Sequence, residues 1–318
     1  MSLWTSAAIA AATGGQASAD FACTGVSFDS REVAAGDLFI ALKGEATDGH
    51  RFIDAALARG AAGCLVSEDC AAPHVRVADT MAALNALGAA ARDRSDAVRI
   101  GVTGSVGKTG VKEALKSALD RFAPGAVHAS VKSYNNHTGV PLSLARMPAT
   151  SRYGVFEMGM NHAGELAALT QAVRPHIAIV TWVASAHREF FATEADIARA
   201  KAEIFAGLPA GGTAIIPADN PHAALLERAA RDAGATVVRF GQSAQADVRA
   251  EQVALHPDCS CVTARVHGTS LTFKIGMAGV GAGAGHVWSP ACMAGRDTGM
   301  VWAPHETTHM LPTPGVAG

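Results

Sequence analysis

The 318-residue chain is expected to be an α/β protein built around a doubly wound, mostly parallel sheet, and three observations predict it. Short β-rich runs alternate with alanine-rich helical runs from the N-terminus onward. Val98, Ile100 and Val102 alternate as in a buried strand, which leads directly into a glycine loop and then an amphipathic helix. The strand-like runs "YGVFEM", "HIAIVTWV", "GTAIIPA" and "ATVVRF" follow, separated by helical sequence.

In chain order, "MSLWTSAAIAAATGG" reads as a helix; no Lys or Arg precedes its apolar part, as a secretory signal would require. "DLFIAL", "GCLVSE" and "HVRVAD" read as strands, with a helix over Phe52 to Ala62. These make a small N-terminal α/β domain, residues 1–96. A second domain, residues 97–276, opens at "AVRIGVTG". Val111, Ala114, Leu115, Ala118, Leu119 and Phe122 then recur at helical spacing, and a later helix spans Glu194 to Leu208. From "DVRAEQVAL" to "TSLTFKIG" the short alternating runs suggest antiparallel strands at the sheet edge. The last stretch, 277–318, has only Arg296, Asp297 and Glu306 as full charges and neither helix nor strand period. It reads as an aberrant, disordered tail.

Composition narrows the function. Acidic and basic side chains nearly cancel, leaving a formal charge of −2, so neither a nucleic acid nor an anionic membrane surface is expected as partner. No window is long and apolar enough for a spanning helix. The six cysteines are scattered without paired zinc spacing, as expected of reduced thiols in the cytosol; Cys259-x-Cys261 reads as strand composition. A small-molecule substrate and a monomer are the expectation.

The chemistry centres on "RIGVTGSVGKTG", Arg99 to Gly110. A strict G-x-x-x-x-G-K-[ST] loop would need glycine at 102, where the chain has Val102. Between a strand and a helix, Gly104, Ser105, Val106, Gly107, Lys108, Thr109 and Gly110 still suit phosphate binding. Backbone N–H groups approach the phosphates, Lys108 reaches their charge, and the Thr109 hydroxyl can ligate Mg²⁺. Glu157 closes a neighbouring strand, where an acid can hold Mg²⁺ beside the loop. His187 follows "HIAIVTWV", just past a strand's carboxyl end, where ligands gather in such sheets. Lys201, in "ARAKAEIF", reads from its surroundings as a solvated helix lysine. A GTPase would normally carry D-x-x-G and N-K-x-D, and neither occurs.

In order and spacing, "TGSVGKTGVKEAL", "SYNNHTGVPLSLARM", "VFEMGMNHAGEL", "AHREFF" and "AKAEIFAGL" resemble the Mur ligases, over about residues 1–276. The shortened loop is that family's own form. The E-x-G-x-N-H-x-G-E pattern from Glu157 to Glu165 points to the branch that adds D-alanyl-D-alanine to UDP-N-acetylmuramoyl-tripeptide, using ATP and Mg²⁺. By this resemblance, Thr109, Glu157 and His187 belong to magnesium sites, and Lys201 matches a lysine that becomes carbamylated. Asn220 resembles the adenine contact. Ser30 and Arg31 would help hold the uridine diphosphate, and Asn135 and Asn136 the substrate.

Two departures stand out. Thr138 sits among the substrate-side residues where a large apolar residue is expected. The chain also stops before the family's third, C-terminal domain, which leaves two readings: a ligase present as its first two domains, or a non-catalytic remnant that binds only precursor or ATP. The tail holds two tempting motifs. "HETTH", His305 to His309, satisfies a zinc-hydrolase pattern, but prolines flank it and no helical period supports it. Gly279, Gly281 and Ala284 imitate a dinucleotide fingerprint with no following helix.

Overall fold

The computed structural model describes residues 2–44, 47–185, 190–256, 260–266 and 268–275. His187, Cys259, and the 277–318 tail with its "HETTH" and glycine motifs lie outside the described residues. The chain divides into two compact units: Met1–Ala97 with Ser133–Gly154, and Val98–Lys132 with the described residues from Val155 onward.

The expected continuous domain over 97–276 is therefore interrupted, because Ser133–Gly154 packs into the first unit's core. Leu142 and Ala145, on the helix Gly139–Ala145, are buried in one cluster with Leu84, Leu87 and Ala91 of the helix Thr80–Asp93. Gly88 permits the close approach, since a Cβ there would lie 3.1 Å from the Pro141 carbonyl oxygen. The Trp4 indole N–H donates to the Ala145 carbonyl at 2.8 Å, and the Arg94 guanidinium stacks 3.7 Å above the Trp4 ring.

The first unit's five-stranded sheet runs in the order Gln16–Ala17, His74–Arg76, Gly63–Val66, Asp37–Ile40, Gly25–Ser27. The last four strands are mutually parallel and the first is antiparallel to its neighbour. Every residue of Gly63–Val66 is buried, as a strand covered on both faces should be. The N-terminal run forms a two-residue strand, Trp4–Thr5, before the helix Ser6–Thr13. Thr5 caps that helix and Gly14, left-handed, ends it.

The second unit's nine-stranded sheet runs Thr269–Ile275, Ser260–Val266, Val248–Leu255, Thr236–Gly241, Thr213–Pro217, Ile177–Val180, Val98–Thr103, Tyr153–Glu157, Val127–Ala129. From Val98–Thr103 through Thr213–Pro217 to Val248–Leu255 the neighbours pair in parallel, and the last two ladders at that edge are antiparallel, as expected. The expected long helix from Glu194 is α-helical over Glu194–Ala202 and tightens to a 3₁₀ turn over Glu203–Gly207. No helix among the described residues is long and apolar enough to cross a membrane.

Candidate functional site

The helix after the glycine loop, Lys108–Phe122, starts where the loop can turn sharply enough to aim its N–H groups outward. Gly107, at φ +82°, caps that helix in the left-handed region. Gly104, at φ +152°, lies so close to the neighbouring strand end that a Cβ would fall 1.9 Å from Thr181 Oγ1. That contact is a strap. The Thr181 hydroxyl donates to the Val106 carbonyl at 2.5 Å, and the Ser105 N–H to the Trp182 carbonyl at 2.7 Å. Ser105 Oγ donates to the Ala184 carbonyl at 2.9 Å and accepts its N–H at 3.0 Å. The segment after Ile177–Val180 thus holds the loop in shape.

Three of the sequence-selected residues meet at the loop's end. The Thr109 hydroxyl donates to Glu157 Oε2 at 2.9 Å, and Glu157 is only 1% exposed. Lys108 Nζ donates to the Gly104 carbonyl at 2.8 Å. Burial pushes the Lys108 amine below the usual lysine range, while the Glu157 carboxylate opposes that shift. A hydroxyl and a buried carboxylate form a hard oxygen donor pair, which fits Mg²⁺ supported by phosphate oxygens.

Lys201 departs from its reading as a solvated helix lysine. It is 2% exposed, and burial, with a smaller contribution from the Lys108 charge, pushes its pKa from 10.5 down to about 7. Near neutral pH much of this amine carries no proton. Asn220 is buried too: its Nδ2 donates to the Val183 carbonyl at 2.8 Å, beside the loop strap, and its Oδ1 accepts the His222 N–H at 3.0 Å. His222 meets Glu194 at 3.2 Å, and Glu194 accepts the Ser185 hydroxyl at 2.7 Å.

The remaining residues belong to the first unit, and their contacts are short in sequence. Ser30 is half-buried. The Arg31 side chain is 86% exposed and donates to both Asp29 carboxylate oxygens, at 2.9 and 2.7 Å. Asn136 Oδ1 accepts the Gly139 N–H at 2.9 Å, the Thr138 hydroxyl at 2.9 Å and the Thr138 N–H at 3.3 Å. Thr138, in place of the expected apolar residue, therefore helps shape the turn into the next helix. Asn135 is half-buried, with its N–H on the Ser133 carbonyl at 2.8 Å. A longer link ties this turn to the Asp29–Glu32 segment: the Tyr134 hydroxyl donates to Glu32 Oε2 at 2.8 Å. Burial, followed by Glu32, raises the Tyr134 pKa to about 12.

Tyr134 and Glu32 carried no signal in the sequence, being 102 positions apart. Lys112 did carry one. It stands four residues after Lys108 and three before Leu115, on the face that turns inward, yet it is charged and easily set aside. It is fully buried, whereas Phe122, expected on the apolar stripe, is 42% exposed.

The profile of the Mur ligase middle domain matches residues 102–283, and that of the Mur ligase family catalytic domain matches residues 22–122. The chain is 39% identical over 222 residues to the UDP-N-acetylmuramoyl-tripeptide–D-alanyl-D-alanine ligase of Rickettsia prowazekii, covering 69% of this chain and 49% of that protein. It is 42% identical over 204 residues to the Escherichia coli enzyme of the same name, covering 64% and 45%. It thus spans about half the length of these curated relatives. A MurF crystal structure from Acinetobacter baumannii superposes with a TM-score of 0.80 at 31% identity, over 93% of this chain and 65% of that one. MurF from Thermotoga maritima in complex with ADP gives 0.75 at 25% identity, over 92% and 67%.

Proposed function

This chain belongs to the Mur ligase family, and from that premise we propose that its second unit binds ATP and Mg²⁺ to join D-alanyl-D-alanine to UDP-N-acetylmuramoyl-tripeptide. The observation that carries the proposal is the meeting of Lys108, Thr109 and buried Glu157 at the end of a glycine loop. The ADP in the Thermotoga maritima neighbour supports the nucleotide assignment.

The residues divide the work. The backbone of Gly104 to Gly110 and the Lys108 ammonium bind and orient phosphate oxygens. Thr109 and Glu157 would hold Mg²⁺ beside the loop, and by family resemblance His187 would also belong to the magnesium sites. Lys201, kept largely neutral near pH 7, is suited to add CO₂ and lose a proton, becoming a carbamate whose negative charge serves a second metal position. Asn220 faces the adenine side, Ser30 and Arg31 the uridine diphosphate, and Asn135, Asn136 and Thr138 the muramoyl substrate. Bound Mg²⁺ supplies charge neutralisation as phosphate charge shifts. The terminal carboxylate of the tripeptide takes the γ-phosphoryl group and ADP leaves. The dipeptide amine then displaces phosphate from the acyl phosphate, losing a proton as the amide forms. Nucleotide substrates and four free cysteines among the described residues support a cytosolic setting.

The test is phosphate release from ATP by this chain, with each acceptor alone and with both. Release that requires both UDP-N-acetylmuramoyl-tripeptide and D-alanyl-D-alanine is expected. Nucleotide and precursor binding without such release would overturn ligation by this chain and make it a binding protein only.

A further inference from the structure

Lys112 lies outside the phosphate-binding residues, yet its contacts lead back to them. It is a charged side chain with 0% exposure, and an uncompensated ammonium in that position is strongly unfavourable. Its ammonium has three oxygen partners. Nζ donates to the Ser130 carbonyl at 2.9 Å and the Lys132 carbonyl at 3.0 Å, and meets Glu113 Oε1 at 2.9 Å. The two carbonyls are two residues apart in a segment where Lys132 adopts φ +53°, unusual for a residue other than glycine. A long, flexible stem ending in a compact triple donor suits that turn.

The contacts close into a ring. Ser130 Oγ accepts the Glu157 backbone N–H at 3.3 Å, and Glu157 Oε2 accepts the Thr109 hydroxyl at 2.9 Å. Thr109 and Lys112 stand three residues apart on one helix, so they share a face. The same helix is therefore attached to Glu157 twice, directly through Thr109 and indirectly through Lys112 and Ser130. We propose that Lys112 is a positioning residue that sets the distance between Thr109 and Glu157, and so tunes metal-assisted nucleotide binding rather than nucleotide binding as such.

The distinction has a physical basis. Backbone N–H groups of the loop grip phosphate with some latitude, whereas Mg²⁺ demands near-ideal octahedral geometry from its oxygen ligands. A small shift of Glu157 should therefore weaken the metal-dependent part of binding first.

This inference rests on the nucleotide and metal assignment, and one calorimetric experiment separates the two. ADP is titrated into the whole chain with Mg²⁺ and again with EDTA, for wild type, Lys112→Met and Ser130→Ala. Wild-type affinity should rise with Mg²⁺; if it does not, the site assignment fails and takes this inference with it. Lys112→Met keeps the side-chain volume and removes the donors. Its affinity is expected to fall about tenfold with Mg²⁺, a change of about 1.4 kcal/mol, and by less than about twofold with EDTA. Ser130→Ala should show the same metal-selective loss at about threefold, and it carries the test should Lys112→Met not fold. The double variant should lose less than the product of the two single losses. Equal losses with Mg²⁺ and with EDTA, or none, would show that Lys112 only fills space and would overturn the proposal.

Discussion

The corner formed by Lys108, Thr109, Glu157 and Lys201 and the face carrying Ser30, Arg31, Asn136 and Thr138 were both legible as candidate sites, yet they are held together differently. In the corner, Thr109 meets a carboxylate 48 residues away, and Lys112 reaches 18 and 20 residues along the chain. On the face, Arg31 bonds Asp29 two residues back, and Asn136 bonds Thr138 and Gly139 two and three residues on. In the corner Glu157 and Lys201 are buried and Lys108 is half-buried, whereas the Arg31 charge is exposed. The difference implies that stability and function are coupled in the corner and largely separable on the face.

The largest expected effect belongs to Lys201. Its pKa falls from 10.5 in the unfolded chain to about 7 in the folded one. Between those values the unfolded state holds a proton that the folded state has released, so folding stability should rise with pH across that window. The slope should reach up to about 1.4 kcal/mol per pH unit. Below about pH 7 both states are protonated and the full cost of the buried charge remains. Urea midpoints for wild type and Lys201→Met from pH 7 to 10 check this: the variant should lose the slope, and parallel curves would mean that this lysine is not neutralised by burial.

Next comes Lys108. A charged hydrogen-bond partner contributes about 1.5–3 kcal/mol, so Lys108→Met should weaken ADP binding roughly tenfold to a hundredfold. Unchanged affinity by calorimetry would remove the loop from the corner's function. Glu157→Gln should have a narrower effect, losing about tenfold in affinity with Mg²⁺ and little with EDTA. Comparable losses under both conditions would point to packing and not to the metal.

The smallest effects should lie on the face. Asn136→Ala removes an acceptor at the start of the helix Gly139–Ala145 and should cost about 1 kcal/mol in thermal or urea unfolding. Arg31→Ala should change stability by less than about 0.5 kcal/mol while weakening uridine diphosphate binding about fivefold. Should Arg31→Ala destabilise the protein as much as Asn136→Ala, the contrast between a locally built face and an interlocked corner would fail.

Much of this organisation was readable because its signals are local. The Val98–Thr103 strand, the glycine loop and the following helix occupy one continuous stretch, and strand alternation, φ-permissive glycines and helical spacing each leave a short-range pattern. Glu157 could be picked out as the end of an apolar run. The return of Ser133–Gly154 to the first unit could not. It depends on Gly88 admitting Pro141 and on Trp4 finding the Ala145 carbonyl, contacts with no sequence period. Tyr134 and Glu32 were invisible for the same reason.

By itself, the sequence determined the α/β class, the glycine loop between a strand and a helix, and the residue types suited to phosphate and metal, because those follow from neighbours within a few positions. The tertiary structure alone decided which charges are buried. Lys112 and Lys201 are both helix lysines in the sequence, yet Lys112 meets two backbone carbonyls and a carboxylate, whereas burial pushes the Lys201 pKa down to about 7. The Ser130 and Lys132 carbonyls reach Lys112 from 18 and 20 residues along the chain, so only the fold brings them to the ammonium, and a buried charge is costly unless such partners are supplied.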